Sequence, residues 1–302
     1  MAAILLDGAA TARAIKEELR GEIATLASRG VRPGLGVLLV GDDPASAVYV
    51  RSKTRACEEL GIHHETAHLE ASATTGDVLD TIAGYNRRAE IHGILVQLPL
   101  PRQVDSQEAL RLVDPAKDVD GFHPENVGLL VQKRPRFVPC TPAGIMELLA
   151  RCDIPVAGRR AVVLGRSDIV GKPMALLLMH ADATVTVCHS KTRDLESVTR
   201  EADILIAAIG RPGLVRAQHV KPGAVVVDVG MNRIEEPAVA RELLDERRLE
   251  GFREKGHALV GDVHAPAVRQ VAAALTPVPG GVGPLTIALL MKNTVKAAAQ
   301  AG

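Results

Sequence analysis

Six short runs rich in apolar residues, at 35–40, 93–98, 161–164, 184–188, 204–209 and 224–229, constrain this chain most. Continuous apolar runs mark strands covered on both faces, the normal condition of parallel sheets. Parallel neighbours need long crossover connections, which helices supply. Helical patterns do lie between these runs, so the expected fold class is α/β, strand and helix alternating around buried parallel sheets. With 302 residues the chain is long enough for two domains, each with its own core.

Apolar residues Ala12, Ile15, Leu19, Ile23 and Leu26 recur at spacings of three and four, predicting a first helix that stops near Gly30. Asp43-Pro44 supplies an N-cap and first helical residue for a second helix, and Gly61 stops it. A third helical pattern covers 75–89. Residues 114–142, rich in Pro, Gly and Asp, form a long irregular stretch, and Thr141-Pro142 opens a helix at the expected domain boundary. From Arg159 the alternation resumes as in a doubly wound nucleotide domain. Residues 235–255 are highly charged and read as a solvated helical excursion, and a helix starts at Leu285.

Composition narrows the function classes. Lys+Arg and Asp+Glu are equal at 36 each, so no net charge draws the chain to nucleic acid or an anionic membrane. With no Trp, three Phe and two Tyr there is no base-stacking platform either. Cys57, Cys140, Cys152 and Cys188 show no CxxC spacing and no His partner, which predicts reduced thiols and no metal site. No apolar run reaches the ~18–20 residues of a membrane span, and Ala2 to Leu6 lack the basic flank of a signal peptide. A soluble cytoplasmic protein is expected.

The chemistry-bearing residues are few. On the helix after Asp43, Tyr49, Ala56, Cys57 and Leu60 share one stripe, and Lys53 falls inside it. A lysine on a core-facing stripe must snorkel out, be paired, or lose its proton more easily. Gln97 lies late in an apolar strand, where an amide either makes a structural hydrogen bond or faces the crevice at the strand's carboxyl end. Asp120, before Gly121, reads by default as a turn residue. Gly165-Arg166-Ser167-Asp168-Ile169-Val170-Gly171 joins a strand to an apolar helix, as a dinucleotide fingerprint does, but with Ser167 in place of the middle glycine. It is either a tight turn or a pyrophosphate site. At the end of the next strand stand His189-Ser190-Lys191-Thr192-Arg193, with no Asp or Glu for a ribose hydroxyl. Those donors, with Arg166, suit the 2′-phosphate of NADP. Pro279-Gly280-Gly281-Val282-Gly283-Pro284 is either a hinge or a backbone surface open to a flat ligand, and His63, His64 and His68 read as surface residues.

Together these segments resemble the bifunctional methylenetetrahydrofolate dehydrogenase/methenyltetrahydrofolate cyclohydrolase family. The matching stretches are Tyr49-Val50-Arg51-Ser52-Lys53, 93–101, Lys117-Asp118-Val119-Asp120-Gly121-Phe122, Gly165-Arg166-Ser167, His189-Ser190, Asp228-Val229-Gly230 and 276–286, in family order across nearly the whole chain. The resemblance implies two α/β domains with a cleft between them. Residues 1–140 would form a folate-binding catalytic domain, with a C-terminal helix at 284–302 packing back on it, and 141–283 a Rossmann-type NADP-binding domain. It implies oxidation of 5,10-methylenetetrahydrofolate with NADP, then hydrolysis of the methenyl product to 10-formyltetrahydrofolate, by a homodimer.

By the same resemblance Lys53 is the central catalytic group, Gln97 tunes it, Tyr49 positions the folate and Asp120 holds the pterin edge. Val96, Leu98, Pro279, Gly280, Gly281, Val282 and Gly283 border the folate, while Gly165, Arg166, Ser167, Ser190 and Met231 take cofactor positions. The competing readings are a dehydrogenase with little cyclohydrolase activity and a non-catalytic nucleotide sensor. Two features depart from the family pattern: 235–255 is longer than the usual connection, and His264 stands where an acid is common.

Overall fold

A computed structural model describes residues 3–301, apart from the side chain of Ala45. In chain order the elements are β1 (Ile4–Leu5), α1 (Gly8–Ser28), β2 (Gly34–Val40), α2 (Pro44–Leu60), β3 (His63–Leu69), α3 (Thr75–Arg87) and β4 (Gly93–Val96). Then come α4 (Ser106–Leu112), α5 (Pro124–Val131), α6 (Cys140–Arg151), β5 (Arg160–Leu164), α7 (Gly171–His180), β6 (Thr184–Cys188), α8 (Leu195–Thr199) and β7 (Ile204–Ala207). The chain continues through β8 (Val225–Asp228), β9 (Asn232–Ile234), α9 (Pro237–Leu243), α10 (Glu246–Lys255), β10 (Ala258–Val260), α11 (Ala265–Val268), β11 (Ala274–Leu275) and α12 (Val282–Ala301). It is an α/β protein, and its contacts divide it into two compact units.

The first unit takes the N-terminal segment through Thr11 together with Thr141–Thr286. Its parallel sheet has the order β1-β11-β8-β7-β5-β6. Both faces are covered, as the apolar runs require. Ala161 and Val163 of β5 enter one core cluster with Met174 and Leu178 of α7, while Val162 and Leu164 enter the opposite one with Leu205 and Ala207. Each buried aliphatic side chain of this kind contributes about 1.5–3 kcal/mol. Leaving out β1, the strands read 2-1-3-4-5 from the β6 edge, the flavodoxin-like doubly wound order, with the topological switch between β5 and β7.

The second unit takes Ala12–Cys140 and the chain from Ile287 onward. Its parallel sheet has the order β3-β2-β4, so a second switch point lies between β2 and β4. Val78, Ile82 and Tyr85 of α3 cover one face, packing on Leu38, Val40, Ile94 and Val96. Tyr85 Oη accepts from the Ala67 N–H at 3.0 Å and donates to Val37 O at 3.3 Å, linking the helix to β2 and β3.

Several expectations change. The N-terminal residues do not stay with the 12–140 segment, because β1 pairs in parallel with β11 as an edge of the first unit's sheet. His63, His64 and His68 lie in β3, a partly exposed edge strand that polar composition concealed. The irregular stretch 114–142 holds α5, started by Pro124 and capped by His123. The excursion at 235–255 is more than a solvated helix: a β9–β10 hairpin carries two helices that bury Ala240, Leu243, Leu244 and Phe252 in a core of their own. Finally, α12 starts at Val282, three residues before Leu285.

Candidate active site

Helix α2 begins as the sequence predicts. Asp43 caps it by accepting the Ser46 N–H at 2.7 Å, Pro44 follows, and Gly61 closes it in the left-handed region. That frame fixes the wheel: Ala56, Cys57 and Leu60 are buried, and Lys53 is buried with them at 8% exposure. The lysine does not snorkel out. Its Nζ donates to Gln97 Oε1 at 2.9 Å.

Gln97 stands one residue past β4, at the carboxyl edge of the three-stranded sheet beside its switch point. Its backbone N–H donates to Leu38 O at 2.9 Å, and its Nε2 donates to Leu98 O at 2.7 Å. With the amide nitrogen committed, the amide oxygen is the atom left for Lys53. Burial lowers the Lys53 pKa from its ordinary value, the nearby Asp120 and Cys140 charges opposing. A neutral amide partner adds no charge to restore it. Tyr49, one turn earlier on α2, is half-buried, and burial raises its pKa.

Asp120 sits in a loop gripped from several sides. The Ile94 N–H donates to Lys117 O at 2.8 Å, adding Asp118 to the sheet edge as a bridge. The buried Asp118 carboxylate accepts the Phe122 and His123 N–H groups and Asn126 Nδ2, at 3.2, 2.8 and 2.8 Å. From α12, the buried Asn293 Nδ2 donates to Val119 O at 2.7 Å and to Val138 O at 3.1 Å. Burial pushes the Asp120 carboxyl up to about 6, with Lys53 pulling the other way and Asp118 adding to the rise. The buried Cys140 thiol, which donates to Val119 O at 3.5 Å, is held well above its ordinary pKa by burial and by the nearby Asp120 carboxylate. This gives an acid and a base near one another, with pKa values that burial draws toward each other, as acid–base chemistry near neutral pH requires.

Not every predicted neighbour presents a side chain. Val96 is part of the core, so its side chain faces the protein interior, while Leu98 is half-buried. Cys140, Asp118 and Asn293 escaped the sequence reading. The available signal for Asn293 was an amide one turn past the buried Leu289 and Leu290 on the same helix.

The remaining predicted residues belong to the first unit. Gly165 ends β5 at the switch point with φ +126°, and a Cβ there would lie 2.0 Å from Ala208 O, so only glycine fits between the two strand exits. Ser167 Oγ accepts the Val170 and Gly171 N–H groups at 3.2 and 3.3 Å, occupying the first donors of α7. The pyrophosphate expected on those N–H groups would instead meet the hydroxyl proton, which Ser167 keeps free to donate. Arg166, Ser167 and Ser190 are exposed. This donor set, without a carboxylate after β6, fits NADP. In the glycine-rich segment the Ala9 N–H donates to Gly280 O at 2.9 Å, and a Cβ on Gly8 would strike Gly281 O at 1.9 Å, so part of its glycine content serves close packing on α1. Pro279 is exposed, Val282 is buried in the core, and Met231 Cε packs against Gly283.

Comparison with known proteins places the chain in a family. Residues 6–120 match the tetrahydrofolate dehydrogenase/cyclohydrolase catalytic domain, and residues 139–302 match the NAD(P)-binding domain of the same family. The bifunctional protein FolD of Koribacter versatilis is 57% identical over 300 residues, covering 99% of this chain and 97% of that protein. The crystal structure of the bifunctional enzyme FolD from Campylobacter jejuni superposes with a TM-score of 0.90 at 46% identity, covering 99% of both chains. That of the Trypanosoma brucei enzyme, complexed with NADP cofactor and inhibitor, also gives 0.90, at 40% identity over 99% of this chain and 98% of that one. The chain belongs to the tetrahydrofolate dehydrogenase/cyclohydrolase family.

Proposed function

We infer that this protein is a bifunctional enzyme of one-carbon metabolism. It oxidises 5,10-methylenetetrahydrofolate to the methenyl form with NADP, then hydrolyses that product to 10-formyltetrahydrofolate. The observation that carries the reading is the buried Lys53 ammonium held on Gln97 Oε1 beside Asp120. NADP supplies the two-electron acceptor when bound. Arg166, Ser167 and Ser190 would hold its phosphates, with Arg166 on the 2′-phosphate, and Met231 would border it.

In the hydrolytic step Lys53, in its neutral form, takes a proton from the water that adds to the methenyl carbon. As the bond from that carbon to the ring nitrogen breaks, Lys53 returns the proton to the nitrogen, and the adduct's hydroxyl releases its own proton to water to form the formyl carbonyl. Gln97 keeps Nζ aimed while leaving its charge unstabilised, which matches the lysine to a pH nearer neutral. Asp120 accepts the amino and ring N–H donors of the pterin, a charge-assisted pairing that fixes the ring's orientation. Tyr49, Leu98 and, through its backbone, Val96 flank the folate. Residues 12–140 thus serve as the folate domain and 141–283 as the NADP domain.

The assembly is a homodimer, supported by β6, whose outer edge is unpaired among the described residues and whose Val187 is 39% exposed. The free thiols Cys57, Cys140, Cys152 and Cys188 support a reducing, cytoplasmic setting. Steady-state assays with both folates and both nicotinamide cofactors test the reading. Production of NADPH from methylenetetrahydrofolate together with hydrolysis of the methenyl form above the buffer rate is expected; absence of either activity would refute bifunctionality.

A further inference from the structure

The excursion carried by β9 and β10 and the unusual His264 meet in one place. His264 caps α11, its Nδ1 accepting the Ala267 N–H at 3.2 Å. That contact leaves Nε2 to carry the ring proton, and Nε2 lies 3.0 Å from Glu242 O, a carbonyl that can only accept. The imidazole therefore accepts at Nδ1 and donates at Nε2, bridging α11 to the end of α9. An acid at this position would cap the helix but could give nothing to Glu242.

What α9 covers explains the bridge. Leu243 presses on Gly213, where a Cβ would lie 2.3 Å from its Cδ2, and the Glu242 side chain pairs with Arg216. Segment 213–216 is stitched to 261–264: the Gly213, Val215 and His264 N–H groups donate to Gly261 O, Asp262 O and Val215 O at 3.1, 2.9 and 2.8 Å. In the same strip the buried Asp262 carboxylate accepts the Ile209, Gly210 and Arg211 N–H groups at 2.7–2.9 Å, and Asn232, at the root of the hairpin, donates to it at 2.9 Å. Those three N–H groups form the exit of β7, which abuts Gly165 at the switch point, where ligands of such sheets bind.

We propose that the 232–260 excursion is a brace for the cofactor-binding loop after β7, and that His264, by latching α9 to α11, is a positioning residue for NADP. This rests on the reading that NADP occupies the switch point of the six-stranded sheet.

His264→Asn separates the latch from the cap, since Asn is a good N-cap but cannot reach Glu242 O. We expect its Kd and KM for NADP to rise roughly three- to ten-fold. The KM for methylenetetrahydrofolate and the hydrolysis of preformed methenyltetrahydrofolate, assayed without NADP, should stay at wild-type values. Leu243→Ala, which thins the brace without touching His264, should show the same split. Unchanged NADP affinity in both variants would overturn the brace, as would parallel losses toward NADP and folate, which mark general destabilisation. Wild-type protein is titrated with NADP alongside; if it fails to bind, the cofactor reading falls, and the brace with it.

Discussion

Lys53 Nζ donates to Gln97 Oε1 at 2.9 Å, joining a lysine on the core-facing stripe of α2 to an amide at the carboxyl edge of β4. The partner is neutral, and that decides the lysine's character. Burial disfavours the ammonium, and Gln97 satisfies one of its donors without offering a counter-charge.

Replacing that amide by a carboxylate tests the point. Gln97→Glu places an anion on Nζ, which should raise the Lys53 pKa and shift the pH profile of hydrolysis to the alkaline side by about one unit or more. At neutral pH the rate should fall. A profile with unchanged midpoint would show that Gln97 does not tune Lys53.

The Asp120 loop depends on Asn293. Asn293→Ala leaves Val119 O and Val138 O without their side-chain donor, a loss of about 1–3 kcal/mol. Thermal unfolding should report the lower stability, and the KM for folate should rise while NADP affinity in direct titration holds.

Folate binding should also weaken in acid. The Asp120 carboxyl, held near pH 6 by burial, ionises above that value and is neutral below it. In the proposed pairing its ionised form accepts the pterin donors, so KM for both folates should rise as pH falls from about 7 through 6 toward 5, approaching about ten-fold per unit at the acidic end. Asp120→Asn should bind folate weakly at every pH and lose this limb.

The proposed preference for NADP assigns the 2′-phosphate to Arg166. Arg166→Ala should weaken NADP by about ten-fold or more, the worth of a charge-assisted contact, and affect NAD far less. Equal losses for both would remove the 2′-phosphate assignment.

Much of this was legible in the residues. The apolar runs gave the inner strands of both parallel sheets, because strands buried on two faces leave little room for polar alternation, while the polar edge strand β3 was hidden. The caps at Asp43 and Gly61 framed α2, and the Tyr49–Lys53 spacing put the lysine among apolar neighbours. The two-residue strands β1 and β11 were hidden, since their pairing is set by tertiary context rather than local pattern. Asp118 reads as one more loop acid until its three donors are seen. Residues 235–255 looked merely solvated because their apolar residues are few, yet Leu243, Leu244 and Phe252 suffice for a small core.

The central claim is that Lys53 carries the hydrolytic chemistry. Lys53→Met preserves the apolar stem and removes the amine, so hydrolysis of methenyltetrahydrofolate by the purified variant, with NADP binding followed in parallel, is the most direct measurement. The account predicts a loss of about 10²–10⁴-fold in hydrolysis with NADP affinity intact. Hydrolysis at the wild-type rate would contradict it.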